Sequence, residues 1–292
     1  MLNSPLPDLL TERIKAFRAE NFFLKTHPRL TSIDQAIDFA NQCGFLFFWP
    51  IKDVMLPSLW VACAGDRPVP NQHDDPGHIT WGWKDSLLGK HKWYYGRILH
   101  KRNTIISLEF VPFFYALSEN YGDFVQDYLV QYEQGQMTLE ARIVYEAILK
   151  EGPLDTITLR SKSHLAGPNS DSRFNSALTD LMADFKIMPV GVSDAGTWHY
   201  AYVYDIVARQ MPDLVEKARF IQEAIAREKL VSQYFSLVGA AQFKDIVKLF
   251  RWSPEVTEKV LLRLVQGNVI NKSELNSTRY GNWYITNKIM RM

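Results

Sequence analysis

A chain of 292 residues is long enough for two or three domains and a sizeable core. With 47% hydrophobic and 22% charged residues it is globular rather than disordered, and a net charge of +1 excludes a uniformly basic, polyanion-coating surface. Cys43 and Cys63, the only cysteines, cannot build a disulfide framework or a four-cysteine zinc site, and their apolar surroundings predict buried, inert thiols.

The N-terminal MLNSPLPDLLTERIKAF has neither the basic start nor the apolar run of a signal peptide. The longest apolar runs, FLFFWPI and FVPFFYAL, are too short to span a bilayer, so no membrane role and a cytoplasmic location are expected. SIDQAIDFANQCG (32–44) predicts an amphipathic helix with Ser32 as N-cap and Gly44 as its stop; FLFFW (45–49) follows as a buried strand. PSLWVACAG starts a helix at Pro57, and HITWGWKDSLLGK (78–90) is a further helix. WYYGRIL (93–99) and TIISLEF (104–110) read as strands around the basic turn HKRN, and helix resumes through 113–135.

The C-terminal half carries a repeat of pattern. TLEARIVYEAILK (138–150) has helical period and stops at Gly152-Pro153, LDTITLRSKSHL is a short helix, and NSDSRFNSALTDLMADF is a third helix with Phe174, Leu178, Leu181 and Phe185 on one face. KIMPVGV and HYAYVYDI are strands around the turn SDAGTW. The order then recurs: a helix over 218–238 ended by Gly239, a short helix over 241–252, and SPEVTEKVLLRLVQG with Ser253 as N-cap and Pro254 at its first position. The strands NVINKSEL and NWYIT flank the turn NSTRYG. Helix–helix–helix–hairpin twice over is a winged-helix layout. The expected fold is mainly α with small β-hairpins (α+β), as tandem winged-helix domains: 1–137 a modified unit with a basic hairpin, 138–215 a second and 216–292 a third.

The segments GFLFFWPIKDVMLPSLW, WGWKDSLL, SENYGDFVQDYL, EGPLDTITLR and VGAAQFKDIV give the chain, in outline over most of its length, a resemblance to the AlkZ/YcaQ-type tandem winged-helix DNA glycosylases. That resemblance implies a DNA-binding, DNA-repair protein of bacterial type whose partner is double-stranded DNA, damaged or intact, and whose chemistry is hydrolysis of N-glycosidic bonds. Members of the group carry a Gln-x-Gln or Gln-x-Asp motif. The matching region here reads Phe47-Phe48-Trp49, which can neither orient water nor stabilise an oxocarbenium-like cation. Asp53 is the nearest carboxylate.

From Ser86 to Leu108 there is no acid, while Lys90, His91, Lys92, Arg97, His100, Lys101 and Arg102 alternate with Trp93, Tyr94 and Tyr95. Cations meet phosphates and aromatics stack on bases, so the composition suits nucleic acid, with Lys101 and Arg102 at the hairpin tip; a solvated hairpin with core-facing aromatics is the competing reading. In the last unit, Lys272 and the turn residues Arg279 and Tyr280 are further contact candidates. The helices bearing Asp171, Asp180 and Asp184, and Glu255 and Glu258, are acidic. They suit protein partners better than phosphate, which keeps a non-catalytic regulator or interaction module open as an alternative.

HDDPGHITWGWKD (73–85) is the densest chemical run. His73, Asp74, Asp75 and His78 could approach a metal, as in a metal-dependent hydrolase, but no paired metal motif is present, and Asp75-Pro76-Gly77 is a turn signal. No metal and no cofactor are expected. Asp75 or Asp85 beside Trp81 and Trp83 could be a partly desolvated carboxylate of raised pKa, with a flipped base stacked on the indoles.

Overall fold

The structure, a computed structural model, describes residues 8–24, 28–72, 74–273 and 282–292. In chain order, α1 (Asp8–Asn21), α2 (Ile33–Cys43), β1 (Phe45–Phe47) and α3 (Leu59–Ala64) come first. A 3-10 turn (Pro76–His78) runs into α4 (Ile79–Leu87). The strands β2 (Tyr94–Gly96) and β3 (Thr104–Ile106) are followed by α5 (Val111–Tyr115) and α6 (Asp127–Glu133). Next come α7 (Leu139–Glu151), β4 (Leu154–Asp155), α8 (Thr156–Lys162), α9 (Asp171–Ala183), β5 (Ile187–Ser193) and β6 (Ala201–Ile206). After α10 (Val207–Gln210) and α11 (Asp213–Arg219), the chain closes with α12 (Glu223–Val238), β7 (Ala240–Gln242), α13 (Phe243–Phe250), α14 (Pro254–Gln266), β8 (Ile270–Lys272), β9 (Trp283–Thr286) and α15 (Asn287–Arg291). The result is an α+β chain of helices and small antiparallel sheets. Among the described residues no helix is long and apolar enough to cross a membrane.

Two compact units divide the chain: residues 1–80 with 223–292, and residues 81–222. They cut across the domain boundaries expected from the sequence, because the N-terminal segment packs on the C-terminal one. Helix α1 was not expected at all, although Leu10, Ile14 and Phe17 have helical spacing. Ile14 and Phe17 pack on Ala240, Ile285 and Ile289. Arg18 donates to the Val238 and Ala240 carbonyls, and Asn21 to those of Ser236 and Leu237.

The order helix, strand, helix, helix, strand, strand occurs over 139–206 and again over 223–286. The sheets are β4-β6-β5 and β7-β9-β8, with the last strand central in each. In the 81–222 unit, Val144, Tyr145 and Ile148 of α7 pack with Phe174, Leu178 and Leu181 of α9 and with Ile187 and Ile206 of the sheet. Each fully buried side chain of this size contributes roughly 1.5–3 kcal/mol.

Caps fix several helix starts. Ser32, Ser58, Thr138, Asp155 and Ser253 each accept a backbone N–H in the first turn. Thus α3 begins at Leu59 and not at Pro57, because Ser58 is the residue with a hydroxyl to offer. The region 113–135 is two short helices separated by a hydrogen-bonded loop: the Asp127 carboxylate accepts the Tyr121 and Gly122 N–H groups at 2.8 and 3.1 Å. Of the expected strand 268–275, Ile270–Lys272 pair with β9; residues 274 and 275, like the turn holding Arg279 and Tyr280, lie outside the described residues.

Candidate nucleic-acid interface

Helix α4 buries Thr80, Trp83, Lys84 and Leu87, a helical i, i+3, i+4, i+7 stripe, and Leu88 continues it. Lys84 therefore occupies a position where the pattern asks for an apolar side chain, and it is only 2% exposed. Its ammonium pairs with Asp85 Oδ1 at 2.8 Å, donates to Tyr200 Oη at 3.3 Å and contacts Tyr202 Oη. It also lies over the rings of Tyr202, Trp81 and Tyr95, with 4.6, 5.3 and 5.5 Å to the centroids. Three π-faces and one carboxylate replace the water that burial removes. Tyr200 Oη in turn donates to both Asp85 oxygens, at 3.0 and 3.1 Å. Burial first, then hydrogen bonding with Tyr202 and the Asp85 charge, holds the Tyr200 phenol far above its ordinary pKa, so it stays a proton donor. The sequence reading named Asp85 and Trp81 but missed Lys84, Tyr200 and Tyr202. The signal available was the lysine on the apolar stripe.

The two tryptophans of α4 part company. Trp81 is 40% exposed beside the Lys84–Asp85 pair, whereas Trp83 is 7% exposed and belongs to the core. The expectation that both line a cleft is corrected for Trp83, since a side chain facing the helix's buried stripe cannot take a base. Trp93, Tyr94 and Tyr95 are buried too, which favours the competing reading of core-facing aromatics.

Of the basic segment, Lys90, His91 and Lys92 are exposed before β2, and Arg102 is exposed at the turn. The turn runs over 99–102, with positive φ at His100 (57°) and Lys101 (53°) and the Arg102 N–H donating to Leu99 O at 2.9 Å. His100 is half-buried. Asn-Gly is the usual occupant of such a turn, and His-Lys adds about 1–2 kcal/mol of strain per residue. Helix α9 holds the turn: Lys101 pairs with Asp180 at 2.6 Å, and Arg97 donates to Thr179 Oγ1. Lys101 is thus exposed at the hairpin tip, as expected, and is paired there with Asp180. Other acids of α9 are also engaged, Asp171 with Arg160. Asp184 is raised by burial, then by Asp180, with Lys101 and Lys186 opposing.

The remaining candidates lie in the other unit. Asp75 takes both prongs of Arg67, at 2.6 and 3.0 Å, and accepts the Gly77 N–H at 2.8 Å. The Arg67 hydrogen bonds hold its carboxyl below the usual value, so the expectation of a raised pKa is overturned there. Its oxygens cap a turn packed on Trp60, and His78 lies 5.4 Å from the Trp60 ring and 6.1 Å from that of Trp49. Among the described residues no three His, Cys, Asp or Glu side chains converge as metal ligands; His73 and Arg279 lie outside those residues. Asp53 is exposed, with positive φ (60°), beside a cavity of about 460 Å³. Phe47 and Phe48 are buried, and Trp49 is half-buried, 5.2 Å from the Trp60 ring. Burial pushes the Cys43 thiol up, as it does that of the half-buried Cys63 against the opposing pull of Arg67 and Arg29.

A family model described as "AlkZ related" matches residues 30–251. The chain belongs to the AlkZ-related family. Its fold is similar to that of the solved Streptomyces sahachiroi DNA glycosylase AlkZ, with a TM-score of 0.56 over 96% of this chain and 71% of that one, at 11% identity. No curated protein matches the chain.

Proposed function

We propose that this AlkZ-related protein is a DNA-repair-related, duplex-DNA-binding protein built on tandem winged-helix units, those over 139–206 and 223–286. The observation that carries the reading is the acid-free run 86–108, which reaches the surface as Lys90, His91 and Lys92 at one end of the β2–β3 hairpin and Arg102 at the other. Unpaired, exposed cations on a rigid hairpin suit phosphates, and the half-exposed indole of Trp81 suits a base. The similarity to a DNA glycosylase fold favours the same partner. The test is duplex binding measured against salt. A Lys92→Glu/Arg102→Glu protein is expected to bind at least about tenfold more weakly, with a salt slope lower by about two. Unchanged affinity, or no wild-type binding at low salt, sinks the reading.

A second, chemical reading rests on the Lys84–Asp85–Tyr200 chain. Asp85 is an ionic, oriented carboxylate beside an exposed indole. In this reading it stabilises a developing sugar cation or orients water, in the place of the family's glutamines. Base release from alkylated DNA that is lost in Asp85→Asn supports it, and equal release by both proteins removes it.

A further inference from the structure

Outside that interface, Arg18 forms no ion pair with a carboxylate among the described residues. Arg18 of α1 is partly buried, and desolvation lowers its pKa with only modest opposition from Tyr234 and Asp245. Its Nε and Nη2 hold the Val238 and Ala240 carbonyls, at 2.9 and 2.6 Å. No carboxylate pairs with it among the described residues, and Nη1 keeps its donors. A desolvated guanidinium without an anion is an unbalanced site.

Arg18 lies where two cavities meet. One, of about 460 Å³, is lined by Lys244 and Lys248 of α13, Asp53, Asp245 and Trp283. The other, of about 400 Å³, is mainly apolar, with Phe22, Leu24, Pro50 and Leu56 in its walls. Both share Arg18, Val54 and Met55. Asp245 is already spent on its helix cap, accepting the Gln242 N–H at 2.8 Å. Lys244 and Lys248 stand four residues apart, on one face of the helix.

We infer that this paired cavity binds a nucleotide: a phosphate against Arg18, Lys244 and Lys248, with the base in the adjoining apolar pocket. In the first cavity three cations outnumber the two carboxylates, while the second adds one of each, Lys15 and Asp66; an apolar volume beside a cationic one suits a ligand with an anionic end and a planar body. The same chemistry is offered by a free nucleoside monophosphate and by a nucleotide within a strand. The site lies wholly within the unit of residues 1–80 and 223–292, whereas the hairpin belongs to the unit of residues 81–222.

The test is calorimetric titration of the full chain with deoxyadenosine 5′-monophosphate, deoxyadenosine and a 5′-phosphorylated oligonucleotide. The monophosphate is expected to bind at least about tenfold more tightly than the nucleoside, and a Lys244→Glu/Lys248→Glu protein to lose at least about tenfold. Both substitutions are on the helix surface, so folding is checked by an unchanged melting curve; Lys248→Gln, expected to give an intermediate loss, serves if the double variant unfolds. An oligonucleotide that binds more tightly than the monophosphate, with the same charge-reversal loss, assigns the phosphate to a strand; the reverse order assigns it to a free nucleotide. No binding of monophosphate or oligonucleotide at millimolar concentration, or equal affinity in the variants, overturns the inference. So does equal affinity for monophosphate and nucleoside. Loss of duplex binding in Lys92→Glu/Arg102→Glu with nucleotide binding intact separates this site from the hairpin.

Discussion

Replacing Lys84 by Met tests whether the buried ammonium is held by its partners or merely tolerated. The side chain is 2% exposed and its charge is matched by Asp85, whose own side chain is 22% exposed. Removing one partner of a fully buried pair costs about 3–5 kcal/mol. Water reaches Asp85 in part, and Tyr200 Oη still donates to it, which lowers the expected loss to about 3 kcal/mol. The thioether refills the volume and offsets about 1 kcal/mol by burying an apolar group. The net expectation is a destabilisation of about 2 kcal/mol in the 81–222 unit. Adding Asp85→Asn removes the stranded charge and is expected to recover about 1 kcal/mol, a coupling typical of residues in one network. Urea unfolding, with hydrogen exchange of the β6 amides as the local readout, measures both. A Lys84→Met protein within about 0.5 kcal/mol of wild type refutes the reasoning, because the cage would then hold a charge at no cost to its removal.

Two glycines should respond in opposite directions. A Cβ on Gly77 would sit 2.6 Å from Trp60 Cη2 and 2.7 Å from Ala64 Cβ, so Gly77→Ala is expected to destabilise by about 1–3 kcal/mol in thermal unfolding. Gly82 in α4 has open space around it, and Gly82→Ala should stabilise by about 0.5–1 kcal/mol. Lys186 donates to Asn120 Oδ1 at 2.6 Å, and burial lowers its pKa to about 8, against the opposing charges of Asp127, Asp184 and Glu119. The unfolded chain therefore binds more protons between about pH 8 and the ordinary value of 10.5. Stability from this group rises through that window by up to about 1.4 kcal/mol per pH unit, and Lys186→Met should flatten the rise in pH-resolved denaturation. Asp75 works in the other direction. Its folded pKa lies below the ordinary 3.8, so its contribution is present above that value and is lost as the pH falls through the folded one. Asp75→Asn should remove that acid-side component, while a titration indistinguishable from wild type would contradict the Arg67 pairing.

Most helices were legible because their signals are local. Ser32, Thr138 and Ser253 cap within three residues of themselves, and Val144 and Ile148 share a face by helical period alone. The basic turn was legible for the same reason, although its left-handed His100 and Lys101 were not, since a lysine has no preference for that backbone. The ion pair of Lys101 was not legible either, because its partner, Asp180, is 79 residues away.

The sequence by itself determined most of the longer helices, the β2–β3 hairpin and the run of cations from Lys90 to Arg102, because each rests on neighbours within a turn or a strand. Only the tertiary structure decided which of those groups meet. Trp81 and Trp83 are two residues apart, yet one faces solvent and one the core. Lys84 reaches Tyr200 and Tyr202 across 116 and 118 residues. Arg18 closes on carbonyls 220 and 222 residues away and is left without an anion. Charge and burial belong to a folded neighbourhood, and that neighbourhood is set by strand register and packing between segments that no local pattern links.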